Sequence, residues 1–230
     1  MQFARDIFTL LCKENVWYQS RIYAKDETMK NMFLLAVVMT TLLTTTFSIM
    51  PLQADPPIAG FTQYGNKYFI ETGTCVGSGL QLAVDAGFEV LHSIELAVPF
   101  YIQARRRFAN TPNVHLWYGD SSKVLPQILR LVDAPATFWL DGHYSGGHTA
   151  RGTKMSPILE ELKHIKNHAI KTHTILIDDV RDFGTPYFDR VTLQQIKDAI
   201  LQINSAYQFS FIDCRFPNDI LVATVPPPGP

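Results

Sequence analysis

Acidic residues recur at the ends of successive predicted strands, where their side chains could do chemistry together. Each of five apolar strands ends in a carboxylate or is followed at once by one. The carboxyl ends of parallel strands meet at one edge of a sheet, where such sheets bind their ligands. Carboxylates at that edge can accept hydrogen bonds from hydroxyl groups, face a cationic ligand or hold Mg²⁺. The acidic residues are Glu71, Glu95, Asp120, Asp141 and the pair Asp178-Asp179.

A glycine-rich turn follows the first of these strands. Gly73, Gly77 and Gly79 separate the strand from a segment with helical character. Glycines at such a turn let the backbone approach a ligand closely and adopt torsion angles that other residues resist. Glu71 would repel a pyrophosphate there, and it suits a cationic or hydroxyl-rich ligand. A turn whose glycines serve only helix–sheet packing would have the same pattern, so the other strand ends must support the interpretation.

Strand and helix patterns alternate from Gly60 onward and are joined by short connections. The strands are apolar without alternation, as is typical of a parallel sheet covered on both faces. The pattern predicts an α/β fold: a doubly wound, mostly parallel seven-stranded sheet with helices on both faces and an antiparallel last strand. The predicted strands are Tyr68–Glu71, Glu89–Glu95, Val114–Tyr118, Ala136–Leu140, Thr174–Ile177, Phe209–Ile212 and Leu221–Val225; the predicted helices are Ser78–Ala86, Val98–Ala109, Ser121–Val132, Pro157–Asn167 and Leu193–Ile203.

Bulk composition bounds the function classes. The chain has 230 residues, of which 47% are apolar, so it can bury a sizeable core. Its formal net charge is −1, which offers no electrostatic argument for binding nucleic acid. Three widely spaced cysteines, Cys12, Cys75 and Cys214, form no CxxC pair and predict neither a zinc site nor a disulfide framework.

The N-terminal part of the chain contains an uncharged, apolar run at residues 31–54. Met29 and Lys30 precede it, and the pattern over 29–54 is typical of a secretory signal whose start is Met29. The run is also long enough for a membrane anchor, and a helix packed on the domain is a third interpretation. The protein would be exported or membrane-anchored, with membrane contact through residues 31–54, if 29–54 acts as a signal, and cytoplasmic otherwise. The predicted division is an extension at 1–59, a domain at 60–225 and a proline-rich tail at 226–230.

Taken in order, the motifs resemble those of the class I S-adenosylmethionine-dependent methyltransferases. More narrowly, they are similar to the small cation-dependent O-methyltransferases of the catechol, caffeoyl and macrocin type. The resemblance covers roughly residues 60–225 and implies a Rossmann-like methyltransferase fold. It is carried by Glu71-x-Gly73-x-x-x-Gly77, Ser93-Ile94-Glu95-Leu96, Gly119-Asp120-Ser121, Phe138-Trp139-Leu140-Asp141 and Ile175-Leu176-Ile177-Asp178-Asp179.

The resemblance implies a role for each motif. The first turn would hold the methionine end of S-adenosyl-L-methionine, Glu95 its ribose hydroxyls, and Asp120 and Ser121 its adenine edge. Mg²⁺ would bind the acceptor hydroxyl, lower its pKa and orient it toward the methyl group. The implied cofactor-binding residues are Glu71, Thr72, Gly73, Thr74, Gly77, Glu95, Asp120, Ser121 and Asp141, and the implied metal ligands are Asp141, Asp178 and Asp179.

Two positions depart from the pattern of the catechol-type enzymes. Those enzymes carry a lysine base just after the fourth strand's aspartate, whereas this chain has Gly142, His143 and Tyr144. His143 is therefore the candidate base beside Asp141, because the pKa of a histidine suits proton transfer near neutrality; a hydrogen-bonding or surface histidine is the alternative. Asp179 stands where several relatives carry asparagine, a change that Mg²⁺ tolerates.

The prediction is thus O-methylation of a small-molecule hydroxyl, with S-adenosyl-L-methionine as donor and a divalent cation assisting. A binding protein that keeps the fold without turnover is an alternative, because the exported-looking N-terminus separates it from a cytosolic cofactor. A nicotinamide-dependent oxidoreductase would need a tighter G-x-G-x-x-G than Gly73, Gly77 and Gly79 provide. A metal-dependent hydrolase would leave Glu71 and Glu95 without a role. The loop from His143 to Ser156 is predicted to shape the acceptor pocket.

Overall fold

The computed structural model describes residues 60–147 and 149–227. Seven strands form one sheet, and two fully buried strands lie at its centre. The first and fourth strands are buried along their whole length. The strands are β1 (Tyr68–Thr72), β2 (Val90–Glu95), β3 (Val114–Tyr118), β4 (Ala136–Leu140), β5 (Thr174–Ile177), β6 (Gln208–Ile212) and β7 (Ile220–Thr224).

The sheet has the strand order β3-β2-β1-β4-β5-β7-β6. The five strands from β1 to β5 pair in parallel, while β7 lies antiparallel between β5 and β6. The chain reverses its direction across the sheet between β1 and β4, and in open sheets of this kind ligands bind at that point. The predicted mostly parallel seven-stranded sheet with an antiparallel last strand is confirmed.

Helices cover both faces of the sheet, as predicted. On one face, apolar residues of α3, α4 and α5 pack in a large core with Ile70, Phe138 and Ile175. On the other face, α1 and α2 pack in a second core with Phe69, Trp139 and Leu176. The helices are α1 (Ser78–Asp85), α2 (Val98–Arg107), α3 (Ser121–Leu129), α4 (Ile158–Asn167) and α5 (Leu193–Leu201).

Helix α3 begins with a side-chain cap at the carboxyl end of β3. The N-cap residue is Asp120, whose Oδ1 accepts a hydrogen bond from the Ser122 amide at 2.9 Å. Aspartate caps helices as well as serine does, and its charge also suits the positive end of the helix dipole. Asp120 is thereby held at the carboxyl end of β3.

Several sequence-based predictions fall outside the described ranges. These are the extension at 1–59, with its signal-like or anchor-like segment at 31–54, and most of the tail at 226–230. Within the described ranges, none of the helices is long and apolar enough to cross a membrane.

Candidate active site

The ends of the central strands are tied together at one edge of the sheet. The Gly73 amide donates to the Ile94 carbonyl at 2.9 Å, which joins β1 to β2 just beyond the last paired residues. The Asp141 amide donates to the Thr72 carbonyl at 3.0 Å, which joins β4 to β1. The acidic residues that the sequence places at successive strand ends therefore lie along one rim.

Gly73 is required by the close approach of two strand ends. It has φ +86°, and a Cβ at this position would lie 2.1 Å from the Asp141 carbonyl oxygen. Gly77, at the start of α1, has φ +79°, and its Cβ would lie 2.7 Å from the Phe108 ring. Side chains cannot occupy such space, and φ values in this region favour glycine. The turn therefore brings bare backbone next to Asp141.

Glu71 lies beneath this turn and is 1% exposed. The Ser93 hydroxyl donates to Glu71 Oε2 at 2.5 Å, and the Thr74 and Ser93 hydroxyl oxygens are also 2.5 Å apart. Burial raises the pKa of Glu71 well above its ordinary value, and the charges of Asp141 and Glu95 raise it further, whereas the Ser93 hydrogen bond opposes them. The glycine turn adjoins all three residues: Thr74 is linked to Glu71 through Ser93, the Cys75 amide donates to Glu95, and Gly73 lies against the Asp141 backbone. A cation bound here would relieve their mutual repulsion.

Glu95 is the last residue of β2, and its carboxylate accepts hydrogen bonds from the turn after β1 and from the loop after β2. Its Oε2 accepts from the Cys75 amide at 2.7 Å, and its Oε1 accepts from the Ala97 amide at 2.6 Å. Burial raises the pKa of Glu95, and these backbone hydrogen bonds oppose that rise. Each carboxylate oxygen has a second lone pair, so Glu95 can hold the glycine turn and still accept from a ligand hydroxyl.

The rim beyond β3 is formed by Asp120 and Ser121. Asp120 Oδ1 accepts from the Ser122 amide and hydroxyl, while its Oδ2 faces the long loop, where a Cβ on Gly152 would lie 3.3 Å away. Ser121 is buried in the first turn of α3. The loop between His143 and Ser156 therefore reaches the predicted adenine side of the site.

Two buried oxygen atoms lie below the rim between β1 and β4. Thr72 Oγ1 and Glu161 Oε1 have no hydrogen-bond partner among the described residues. A Cβ on Gly142 would lie 3.1 Å from the first and 3.2 Å from the second. A side chain at position 142 would therefore press against this pair of polar atoms. Glu161 adjoins the site, and sequence reasoning did not identify it, because it lies within an ordinary amphipathic helix.

His143 lies between two carboxylates at the acceptor end of the rim. Its Nε2 is 2.9 Å from Asp179 Oδ2, and its Nδ1 is 3.5 Å from Asp141 Oδ1. Phe188 packs against the ring at a centroid distance of 4.9 Å. Burial alone lowers the pKa of His143, but hydrogen bonds and charge from Asp141 and Asp179 outweigh it and raise the pKa to about 10. The resting form of His143 is therefore an imidazolium.

Arg181 is the second cation of this region, and sequence reasoning did not identify it. Its Nη2 pairs with Asp179 Oδ1, and its Nη1 pairs with Asp219 Oδ2. Burial alone would raise the pKa of Asp179, but His143 and Arg181 lower it. Asp219 precedes β7, 38 residues along the chain from Arg181. The only signal in the sequence was the position of Arg181 two residues after the acidic pair.

The three predicted metal ligands do not form one set. Within the described ranges, possible ligand atoms of Asp141 and Asp179 group with His143, whereas those of Asp178 group with Cys214 and Asp219. Burial, and then the charges of Asp141 and Asp179, raise the pKa of Asp178 well above its ordinary value.

Each of these groups fits Mg²⁺ poorly. Mg²⁺ prefers an octahedral shell of oxygen atoms, and each group includes a nitrogen or a sulfur. Both oxygens of Asp179 are engaged by cationic side chains of the chain itself, His143 and Arg181. A divalent cation bound beside them would be repelled by both.

Comparison with known proteins places this arrangement in a known fold. No protein-family model matches the sequence, and a comparison with curated proteins finds no relative. Among solved structures, the O-methyltransferase TomG from Streptomyces achromogenes, solved with SAM, has a TM-score of 0.54 at 17% identity over 73% of this chain and 76% of its own. An O-methyltransferase from Bacillus cereus, solved with SAH, has a TM-score of 0.52 at 12% identity over 91% of this chain and 96% of its own.

This chain has the methyltransferase fold. At such low identity the likeness concerns the backbone, and it confirms the Rossmann-like fold that the sequence motifs imply. In a methyltransferase fold the carboxyl ends of the central strands form the ligand-binding edge, and the glycine turn and acidic rim lie at that edge here.

Proposed function

We propose that this protein transfers a methyl group from S-adenosylmethionine to a hydroxyl oxygen of a small molecule. The observation that carries the proposal is the acidic rim: Glu71, Glu95 and Asp141 meet around a turn where Gly73 leaves the backbone bare. Buried carboxylates next to exposed backbone suit a ligand that combines positive charge with hydroxyl groups. When bound, S-adenosylmethionine supplies an electrophilic methyl group on a positively charged sulfur.

The residues of the rim have distinct proposed roles toward the donor. Glu71 lies nearest the glycine turn and would face the cationic methionine portion. Glu95 would accept from the ribose hydroxyls, and Asp120 and Ser121 would contact the adenine. The turn residues Thr72, Gly73, Thr74 and Gly77 and the strand-end residue Asp141 complete the proposed binding site.

His143 is the proposed base, with Asp141 beside it. A base that takes the acceptor's proton becomes an imidazolium, and Asp141 and Asp179 are placed to stabilise that charge, as a carboxylate does in a catalytic triad. The ring must first release the proton that it holds at rest. A positive charge bound nearby favours that release, because like charges lower the pKa of a histidine.

The sequence-based proposal also included Mg²⁺ held by Asp141, Asp178 and Asp179. The side chains present fit such an ion poorly, so the proposed methyl transfer uses only residues of this chain and the donor. The acceptor is proposed to be a small molecule with a free hydroxyl, approaching from the side of His143 and the 143–156 loop.

The proposal is tested by titrating the purified protein with S-adenosylmethionine in a calorimeter and then assaying transfer of a labelled methyl group to a panel of hydroxyl compounds. Binding followed by ether formation supports it, and His143→Ala should lower turnover more than donor affinity. Absence of S-adenosylmethionine binding would contradict the proposal. Binding without transfer to any acceptor would favour the alternative of an inactive binding protein, and NAD binding in place of the donor would favour an oxidoreductase.

A further inference from the structure

We infer that Arg181 takes the place of a divalent cation at the acceptor end of this site. The inference rests on the proposed function, because it concerns how methyl transfer proceeds at the same rim. It begins from the contacts of the guanidinium, which pairs with Asp179 through Nη2 and with Asp219 through Nη1. One side chain therefore bridges two carboxylates that come from different strand ends.

The backbone holds Arg181 in this position. Asp179 adopts φ 57° and begins a short 3-10 turn, Val180–Asp182. The Val180 amide donates to the Asp219 carbonyl at 2.9 Å, and the Arg181 amide donates to Asp219 Oδ1 at 2.8 Å. Phe216 packs against the guanidinium at 4.4 Å. Main-chain and side-chain contacts thus fix the cation between the end of β5 and the start of β7.

Two cationic side chains of the protein pair with three of the carboxylates at this end of the rim. In the part of the chain that the structure describes, the cationic groups in ion-pair contact with Asp141, Asp179 and Asp219 are His143 and Arg181. A metal ion would have to displace or approach a guanidinium that is always charged. Of the acidic residues that indicate a metal site in the sequence, Asp141 and Asp179 are thus already paired with cations, whereas Asp178 has no ion pair with a cationic side chain among the described residues.

Arg181 acts through Asp179, so its role is that of a positioning residue. By holding Asp179 Oδ1 it orients the other oxygen, Oδ2, toward His143 Nε2. The Arg181 side chain remains 38% exposed, and a guanidinium has more N–H donors than these two pairs use. The remaining donors can stabilise negative charge on the acceptor oxygen as its proton passes to the base, the O–CH₃ bond forms and the S–CH₃ bond breaks.

The test is a titration of the full-length protein with Mn²⁺ alone, followed by the electron paramagnetic resonance signal of the free ion. The wild type should show no saturable site. Arg181→Ala exposes the paired carboxylates and should gain one saturable Mn²⁺ site, which fills at Mn²⁺ concentrations about 100-fold below those at which the wild type shows weak, non-saturable binding. Arg181→Lys keeps the charge and should resemble the wild type. Arg130→Ala, which removes an exposed arginine at the end of α3, is the matched control and should also resemble the wild type.

Two results would overturn the inference. One is stoichiometric Mn²⁺ binding by the wild type, which would decide the question even if Arg181→Ala failed to fold. The other is absence of a new site in a folded Arg181→Ala protein, because Arg181 would then exclude nothing. The titration needs neither donor nor acceptor, so its outcome is independent of whether the protein transfers methyl groups. Where transfer is observed, wild-type turnover should be unchanged by a chelator, whereas loss of turnover that Mg²⁺ restores would contradict the inference.

Discussion

Glu71 combines full burial with a position beneath the glycine turn, so its ionisation should be linked to ligand charge. Burial raises its pKa, and the charges of Asp141 and Glu95 add to the rise. A cationic ligand binds the carboxylate form better than the neutral acid. At pH values below the raised pKa, binding must therefore expel a proton, and affinity should increase as the pH rises toward it, by at most about tenfold per pH unit.

This linkage can be tested by measuring the dissociation constant of S-adenosylmethionine across a pH series by calorimetry. Glu71→Gln keeps the shape and the hydrogen bond from Ser93 but cannot ionise. The variant should bind more weakly and lose most of the pH dependence. S-adenosylhomocysteine, whose sulfur is uncharged, is the matched ligand control and should show a smaller dependence in the wild type. A pH dependence in the variant equal to that of the wild type would show that Glu71 is not the linked group.

Gly73 and Gly87 form a natural pair for separating two causes of strain. Their φ angles are +86° and +85°, but a Cβ on Gly73 would lie 2.1 Å from the Asp141 carbonyl oxygen, whereas Gly87 has nothing within 4 Å. Gly87→Ala should cost about 1 kcal/mol of folding free energy from the backbone alone. Gly73→Ala should cost about 2 kcal/mol more, because two strand ends must separate. Chemical unfolding of both variants measures the difference, and equal losses would mean that the close approach is not present in solution.

At the residue scale, the sequence predicted which acids lie on the rim but not how they are paired. Strand ends are readable because apolar runs stop at them, which placed Glu71, Glu95 and Asp141. The pairing of Asp179 with Arg181 depends on a left-handed residue and on Asp219, which is distant in sequence. Tertiary contacts of this kind leave no periodic signal.

At the scale of elements, the long loop is tied to the domain by one aspartate. Asp189 Oδ2 accepts hydrogen bonds from the Met155 amide at 2.8 Å and the Ser156 amide at 3.1 Å. The Met155 carbonyl in turn accepts from the Tyr144 amide at 2.7 Å, which closes the loop on itself. Asp189 therefore anchors the C-terminal end of the loop that borders the proposed acceptor site, and the bond from Tyr144 joins the other end to it.

Removing that side chain should loosen the loop without unfolding the domain. Asp189 has φ 49°, which glycine adopts freely, so Asp189→Gly deletes the carboxylate without backbone strain. Hydrogen bonds to a charged acceptor contribute about 1.5–3 kcal/mol, so amide exchange at Met155 and Ser156 should become about 10–100-fold faster.

Arg190→Gly is the matched control, since Arg190 also has positive φ and is exposed. Its exchange at the same two amides should equal that of the wild type. Hydrogen–deuterium exchange with mass spectrometry measures both variants. Unchanged exchange in Asp189→Gly would show that the loop is held by other contacts.

The spacing of apolar residues predicted the bounds of the strands better than the ends of the helices. Strands β3, β4 and β5 have the predicted bounds, because each is a short apolar run between turn residues. The ends of four helices were predicted too late: the structure ends them at Asp85, Arg107, Leu129 and Leu201. Val132 and Ile203 continue the apolar pattern and are buried beyond these ends. Apolar residues at helical spacing indicate which positions are buried, and buried positions can continue past the residue at which the helix ends.

At the scale of the whole molecule, the edge of the sheet opposite the site is held by a chain of two hydrogen-bonded histidines. The Ala136 amide donates to His173 Nδ1 at 3.0 Å, so His173 Nε2 carries the ring hydrogen and donates to His168 Nδ1 at 3.0 Å. His168 Nε2 then donates to the Val132 carbonyl at 3.2 Å. This chain links the amino end of β4 to the segments that follow α3 and α4.

His173 should make the domain sensitive to acid. Burial, and then the charge of His168, lower the pKa of His173 from 6.5 to about 4, and Lys171 also lowers it. Between these two values the unfolded chain holds a proton that the folded protein lacks. Stability should therefore fall as the pH drops from 6.5 toward 4, by at most about 1.4 kcal/mol per pH unit from this residue.

The test compares the free energy of unfolding in urea at several pH values for wild type and His173→Gln. Glutamine can accept from Ala136 and donate to His168 without titrating, so the variant should be less stable at neutral pH, because the ring packed on Phe138 is lost, yet less sensitive to acid. Glu71, Asp178 and Glu161 have raised pKa values and contribute to the pH dependence with the opposite sign, but they are common to both proteins and cancel in the difference.

The control variant is His164→Gln, which removes a histidine of α4 that is not part of the His173–His168 chain and should keep the wild-type response to pH. If His173→Gln lost stability in acid as steeply as the wild type, the buried histidine chain would not be the source of the sensitivity.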